Sequence, residues 1–241
     1  MNILILSTDG PDTPGMKMLA LSARQHFKEA KIVTLTTNKP MTGQGMAVAP
    51  TNQVERLRIE RASGHGASDF VVTCKPIDMV YRAFYYPSDF LSTSNFDLVL
   101  CGIGDGANIG ADILHSGLVG MAMLSSYMFG VGSAVFSLNY PYGEPLEVDE
   151  LVRFSAAKKL VDQFFTTTTI DAGECYNVNI PSGEIKGWRT CPVSRYSKNR
   201  PHPSPEITRL IHGEETDLIF NANGYVTISL LQLNVNELRV Y

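Results

Sequence analysis

Three apolar runs, Asn2–Leu6, Lys31–Leu35 and Asp97–Cys101, each break off into a cluster of Gly, Asp, Ser or Thr. That recurrence constrains the fold more than any other feature. Runs of about five aliphatic residues are too short for a self-burying helix and suit strands covered on both faces. Between the first two runs, Thr13 is a suitable N-cap and Pro14 suits a first helical position. Met16, Leu19, Ala20, Ala23 and Phe27 then repeat at helical spacing. Strand, loop, helix and strand in that order open a parallel sheet.

The pattern continues. Gln53–Glu60 and Asp69–Thr73 read as strands around a Gly/Ser-rich turn, Ser63–Ser68, and Pro76–Tyr86 reads as a helix. A helix follows His115-Ser116-Gly117 to about Phe129, with Val119, Ala122 and Met123 on one side. Ser133–Leu138 is a further strand. Val148, Leu151, Val152, Ala156, Leu160 and Phe164 predict a long amphipathic helix. Beyond Thr166 the alternation stops, leaving short β-leaning pieces at Tyr176–Ile180, Trp188–Cys191, Ile207–Ile211 and Tyr225–Leu230. The expected fold class is α/β with a mostly parallel sheet over residues 1–170. A β-rich extension over 171–241 is expected to cover the site or make subunit contacts.

Composition removes several classes. With 44% hydrophobic residues the chain is not disordered, and a net charge of -4 argues against a duplex nucleic-acid binder. No uncharged apolar run approaches the roughly 20 residues of a membrane span. Met1–Leu6 lacks a basic start and meets Asp9 early, so no signal peptide is expected and the cytoplasm is the simplest compartment. The four cysteines, Cys74, Cys101, Cys175 and Cys191, have neither zinc nor disulfide-framework spacing, and Cys101 reads as a small buried hydrophobe. Lys186, Arg189, Arg195, Lys198, Arg200, His202 and Arg209 form a basic stretch, interrupted by Pro201, Pro203 and Pro205. It is either a solvated loop or an anion-attracting arm.

The chemistry concentrates in three loops expected at the carboxyl ends of strands: Ser7–Asp12, Thr36–Gly45 and Gly102–Gly110. In open parallel sheets those ends converge on the ligand crevice. Asp9, Asp12 and Asp105 offer hard oxygen ligands, Thr42 a hydroxyl, and the glycines free backbone N–H groups. Ser116-Gly117 at a helix start adds an anion site. Together these suit a phosphate site assisted by Mg²⁺ or Mn²⁺. Gly102-x-Gly104-x-x-Ala107 fits a relaxed dinucleotide fingerprint but comes late, with no helix directly after it. His115 is either an acid/base group or a capping or buried residue. No GxxxxGK[ST], GxSxG or HExxH is present.

These residues resemble the SurE (stationary-phase survival protein) family of metal-dependent nucleotidases and acid phosphatases. Met1–Leu6 into Asp9-Gly10 and Pro14-Gly15 is similar to the family's opening strand, Asn-Asp-Asp-Gly turn and Pro-Gly. Thr42-Gly43 falls at its Ser-Gly, and Cys74–Val80 at its Gly-Thr-Pro-Ala-Asp-Cys-Val helix start. Asp97–Ile103, Asn108–Gly110 and Ser116–Gly120 match its most specific segment. Tyr176–Pro181, Thr216-Asp217 and Gly224–Thr227 match its C-terminal signatures. The resemblance implies a Rossmann-like domain, a C-terminal extension exchanged between subunits of a homodimer or homotetramer, and a divalent metal acting on a phosphomonoester. The implied metal-ligand positions are Thr8, Asp9, Thr42 and Gly104, of which only Asp9 is unchanged. Asn108, Ser116 and Gly117 keep implied phosphate-binding positions, and Leu118 replaces a threonine.

Asp105, beside Gly104, is a candidate replacement carboxylate. Three functions follow. The first is a phosphomonoester hydrolase, with Asp9 catalytic and Asp9, Thr42 and Asp105 holding an altered Mg²⁺ or Mn²⁺ site. The second is a catalytically impaired binding protein for a nucleotide or phosphorylated metabolite. The third is an enzyme of the same fold with metal-independent hydrolytic chemistry, in which His115 gains importance.

Overall fold

The computed structural model describes residues 1–50, 59–61, 69–86, 95–139, 149–198 and 214–232. Among these, nine strands make one sheet: β1 (Asn2–Ser7), β2 (Lys31–Thr37), β3 (Ile59–Arg61), β4 (Asp69–Val72), β5 (Leu98–Asp105), β6 (Gly132–Leu138), β7 (Cys175–Ile180), β8 (Gly187–Thr190) and β9 (Tyr225–Leu230). Their order is β3-β4-β2-β1-β5-β6-β7-β9-β8. From β4 across to β7 every pairing is parallel. β3 lies antiparallel on β4, β9 antiparallel on β7, and β8 parallel to β9. The helices are α1 (Pro14–His26), α2 (Pro76–Tyr85), α3 (Gly117–Phe129), α4 (Glu150–Thr167) and α5 (Asp217–Ala222), with a 3-10 turn at Ala111–His115. This is the α/β, mostly parallel architecture expected. Most of Gln53–Glu60, the turn Ser63–Ser68, Val148, the strand expected at Ile207–Ile211 and the basic stretch beyond Lys198 lie outside the described residues.

The apolar runs become strands because both of their faces are covered. Ile3 and Ile5 enter one core with Leu19 and Ala23 of α1 and Phe154 and Phe164 of α4. Leu4 and Leu6 enter the opposite core with Met79 and Val80 of α2 and Val119 and Ala122 of α3. Since side chains alternate across a strand, a continuous apolar run is what a doubly covered strand demands. Each such side chain contributes roughly 1.5–3 kcal/mol when fully buried.

Helix α4 faces the sheet differently from the expectation. Leu151, Val152 and Ala156 are exposed, and the buried stripe is Phe154, Ala157, Val161, Phe164 and Phe165. Three phenylalanines remove more apolar area from water than a leucine and a valine, so they set the rotation of the helix. Strand β5 also departs from expectation. It does not end at Cys101 but runs to Asp105, with a shift in register against β6 between Cys101 and Gly104. Gly102 permits this: its φ is +111°, and a β-carbon there would fall 2.2 Å from the Phe136 carbonyl oxygen. Residues 102–105 are therefore strand, and no helix N-terminus follows them. This removes the dinucleotide-fingerprint reading.

Beyond α4 the chain stays in the same sheet, because β7 pairs with β6 over six residues. One buried carboxylate ties this later part to the β5 loop. Asp217 accepts from the Gly110 N–H at 2.9 Å and the Ser194 N–H at 2.8 Å. Removing it strands two buried backbone donors. Asp217→Ala is expected to lower unfolding free energy by about 3 kcal/mol. Urea unfolding tests this, and amide exchange at Gly110 and Ser194 should accelerate together.

Candidate functional site

The chain places β2 and β4 on one side of β1, then returns to lay β5 on the other. The strand order reverses between β1 and β5, and open parallel sheets bind ligands outside the carboxyl ends at that point. A cavity of about 370 Å³ lies there. Thr8, Asp9, Thr42, Gly104, Asp105, Asn108, Ser116 and Gly117 all line it. Asp12, the other candidate oxygen ligand, does not: it is exposed just before α1 and pairs with Lys17 at 3.3 Å. His115 lines it as well. It is exposed at the end of the 3-10 turn, not buried, and Ser116 is the residue that caps α3.

Local physics sets each side chain. Asp9 leaves β1 and is mostly shielded from solvent. Burial pushes its carboxyl up to about 6, opposed by the Thr8 hydroxyl that donates to it at 3.3 Å and reinforced by the charge of Asp105. Asp105 is half-exposed at the end of β5 and lies 3.8 Å from the guanidinium of Arg153 on α4. Ser116 accepts from the Val119 N–H at 3.2 Å, which satisfies one orphan donor of α3. Gly117 is wedged between the Pro76 ring and the Thr8 methyl, at 2.8 and 3.3 Å from where a β-carbon would sit. Thr8 therefore directs its methyl to Gly117 and its hydroxyl to Asp9.

Asn108 is the most constrained group of the site. Its N–H donates to Asn179 Oδ1 at 2.8 Å, and its carbonyl accepts from the side-chain amides of Asn177 and Asn179. Its own amide donates to Ser137 Oγ at 2.6 Å. Thr42 is exposed on the β2 loop, which is held because the Met41 N–H donates to the Thr8 carbonyl.

Position 104 is one of the four positions at which the resemblance implies a metal ligand. A β-carbon on Gly104 would fall 2.6 Å from Leu118 Cδ1. The leucine methyl thus fills the space into which a longer residue at 104 would project. Position 8 offers a hydroxyl already donating to Asp9, and Asp105 faces Arg153. Among the described residues no group of three His, Cys, Asp or Glu is placed to hold a metal ion. The donors present do not fit a divalent ion held at the four implied positions.

Two lining residues escape sequence reasoning. Lys198, from the basic stretch, reaches the cavity of its own chain, and Asp112 holds it there by accepting from the Lys198 N–H at 3.0 Å. Burial lowers the Lys198 ammonium from its ordinary value, against the pull of Asp112. Composition marks the stretch as basic, but only the fold singles out one lysine of it. Among the described residues no helix is long and apolar enough to cross a membrane.

Comparison with known proteins agrees with this architecture. Among curated proteins, the 5'-nucleotidase SurE of Clostridium beijerinckii is 25% identical over 255 aligned positions, covering 100% of this chain and 96% of that protein. The crystal structure of the Sure protein from Aquifex aeolicus superposes with a TM-score of 0.72 at 23% identity, covering 98% of this chain and 94% of that one. It shares the fold. The family model described as Survival protein SurE matches residues 3–200, most of the chain, and the chain belongs to the SurE family.

Proposed function

We propose that the cavity binds the phosphate of a nucleotide-type phosphomonoester and hydrolyses the ester bond. The observation that carries this reading is the convergence of Asp9, Asn108, the start of α3 at Ser116-Gly117 and Lys198 on one cavity at the β1/β5 reversal. The family relationship to a protein named 5'-nucleotidase supports the reaction class. Lys198 and the α3 N-terminus supply positive potential for a dianion. In this scheme Asp9, which lines the cavity, takes a proton from the attacking water. The water oxygen forms a new bond to phosphorus, the ester P–O bond breaks, the leaving alkoxide takes a proton from solvent, and Asp9 returns its proton to solvent. The extension beyond residue 170 acts in this scheme as a site cover through Lys198, and as the subunit contact of a homodimer or homotetramer.

A second reading is favoured by one observation, the Leu118 methyl beside Gly104. In that reading the chain binds a phosphorylated ligand without turning it over. An aryl phosphate and a panel of nucleoside monophosphates, assayed with Mn²⁺, with Mg²⁺ and with chelator, separate the two. Hydrolysis that falls about a hundredfold or more in Asp9→Ala is the expected result. Tight nucleotide binding with no turnover under any condition overturns the hydrolase.

The packing at position 104 gives its own test. Gly104→Asn alone should destabilise the fold, because the new side chain meets Leu118. Leu118→Thr in the same chain should relieve the cost, and adding Thr8→Asp should raise Mn²⁺ affinity at least about tenfold, since ligand number and charge set it. Calorimetric titration that finds no gain in the triple variant would discard the packing account of the site.

Asp9 also makes a prediction about stability. Its folded value of about 6 lies above its ordinary 3.8, so its protonated form is favoured by folding. That contribution is complete below about pH 4 and is lost as pH rises through about 6. Relative to Asp9→Asn, the wild type in chelator should lose up to about 3 kcal/mol between those limits. Parallel pH profiles of the two proteins in urea unfolding are the measurement.

A further inference from the structure

Lys198 reaches the cavity by contacts that leave it little freedom. The Asp112 carboxylate accepts from both the Ser197 hydroxyl and the Lys198 N–H. The Ala111 N–H donates to the Tyr196 carbonyl at 3.0 Å, and Gly110 bridges Ser197. The segment 196–198 is thereby fastened along 110–112, the wall that descends from Asn108. Lys198 Nζ then donates to Asn139 Oδ1, just past the end of β6.

That bond is the terminus of a buried chain of amides. Asn139 Nδ2 donates to Asn221 Oδ1, and Asn221 Nδ2 donates to the Asn179 carbonyl at 2.9 Å. Asn179 in turn grips both the N–H and the carbonyl of Asn108. All four asparagines are buried. Because the Asn139 amide nitrogen donates inward, its oxygen must face outward, and a buried amide oxygen needs a donor. The ammonium satisfies it with one of three N–H bonds. The other two belong to a group that lines the cavity.

Resting on the phosphomonoester reading above, we infer that Lys198 is the phosphate-binding cation of this site. It supplies positive charge where positions 8 and 104 lack the metal ligands that the resemblance implies. The amide chain aligns it with Asn108, so one network positions both the cation and the neutral donor for the same anion.

Lys198→Gln tests this, because glutamine can still donate to Asn139 while carrying no charge. Lys198→Met removes both properties, and Lys198→Arg keeps the charge. Binding of inorganic phosphate and of a nucleoside monophosphate is followed by calorimetry, in chelator and again with Mn²⁺, alongside thermal melts. The wild type and Lys198→Arg should bind in chelator. Lys198→Gln and Lys198→Met should bind at least about tenfold more weakly, the scale of one charge-assisted hydrogen bond. A Gln or Met variant that melts with the wild type and binds phosphate within about twofold of it overturns the inference. Wild-type binding that requires Mn²⁺ and is unchanged in Lys198→Gln also overturns it, while leaving the phosphomonoester reading intact. Failure of the wild type to bind either probe under both conditions brings down both.

Discussion

The parallel pairing of β1 with β5 is the contact on which the rest of this molecule depends. Ile3 through Leu6 lie in register with Leu98 through Cys101, every one of these side chains buried. Covering both faces fixes that register, since a slip of one residue would exchange the two cores. At the carboxyl end the same register sets the β1 turn, Thr8 and Asp9, against the end of β5, Gly104 and Asp105. Two carboxylates therefore lie near each other for reasons of packing, and the desolvation of Asp9 follows from the cores that flank it.

How much of this can be read from sequence depends on whether a residue's role is local. The strands Asn2–Ser7 and Lys31–Thr37 are legible because a short, continuous apolar run suits little besides a strand covered on both faces. The face of α4 is not, because Val152 and Ala156 lie nearly opposite Phe154 and Phe165 around the helix. Neighbours distant in the chain decide between them, Phe136 at 5.3 Å from Phe164 and 5.6 Å from Phe165 between ring centroids and Phe27 at 5.3 Å from Phe165 among them. The end of β5 is hidden for the opposite reason. Gly102 and Gly104 look like a loop, yet glycine at 102 is required by the close approach of β6 to a continuing strand, and Gly104 lies under the Leu118 side chain of α3.

The cavity divides in the same way. Asp9, Asn108 and Ser116-Gly117 can be picked out because each follows a strand or opens a helix. Lys198 cannot, since its place depends on Asp112 and Asn139, which lie 86 and 59 positions away in sequence. Distance in the chain also hides the role of Leu118. Its contact with Gly104 exists only once α3 is packed over β5.

The electrostatic state of the cavity follows from this arrangement. Burial drives Asp9 upward and Lys198 downward, so both groups move toward their neutral forms when the cavity holds no countercharge. On the proposed reading, a phosphate dianion entering between them reverses only one of these shifts. It favours the ammonium of Lys198 and, by like-charge repulsion, the protonated form of Asp9. Anion binding and proton uptake are then coupled through two groups held by different parts of the chain. In the proposed hydrolysis Asp9 would have to surrender that proton to act on water, so the pH range of binding and the pH range of hydrolysis would pull in opposite directions across the same carboxyl.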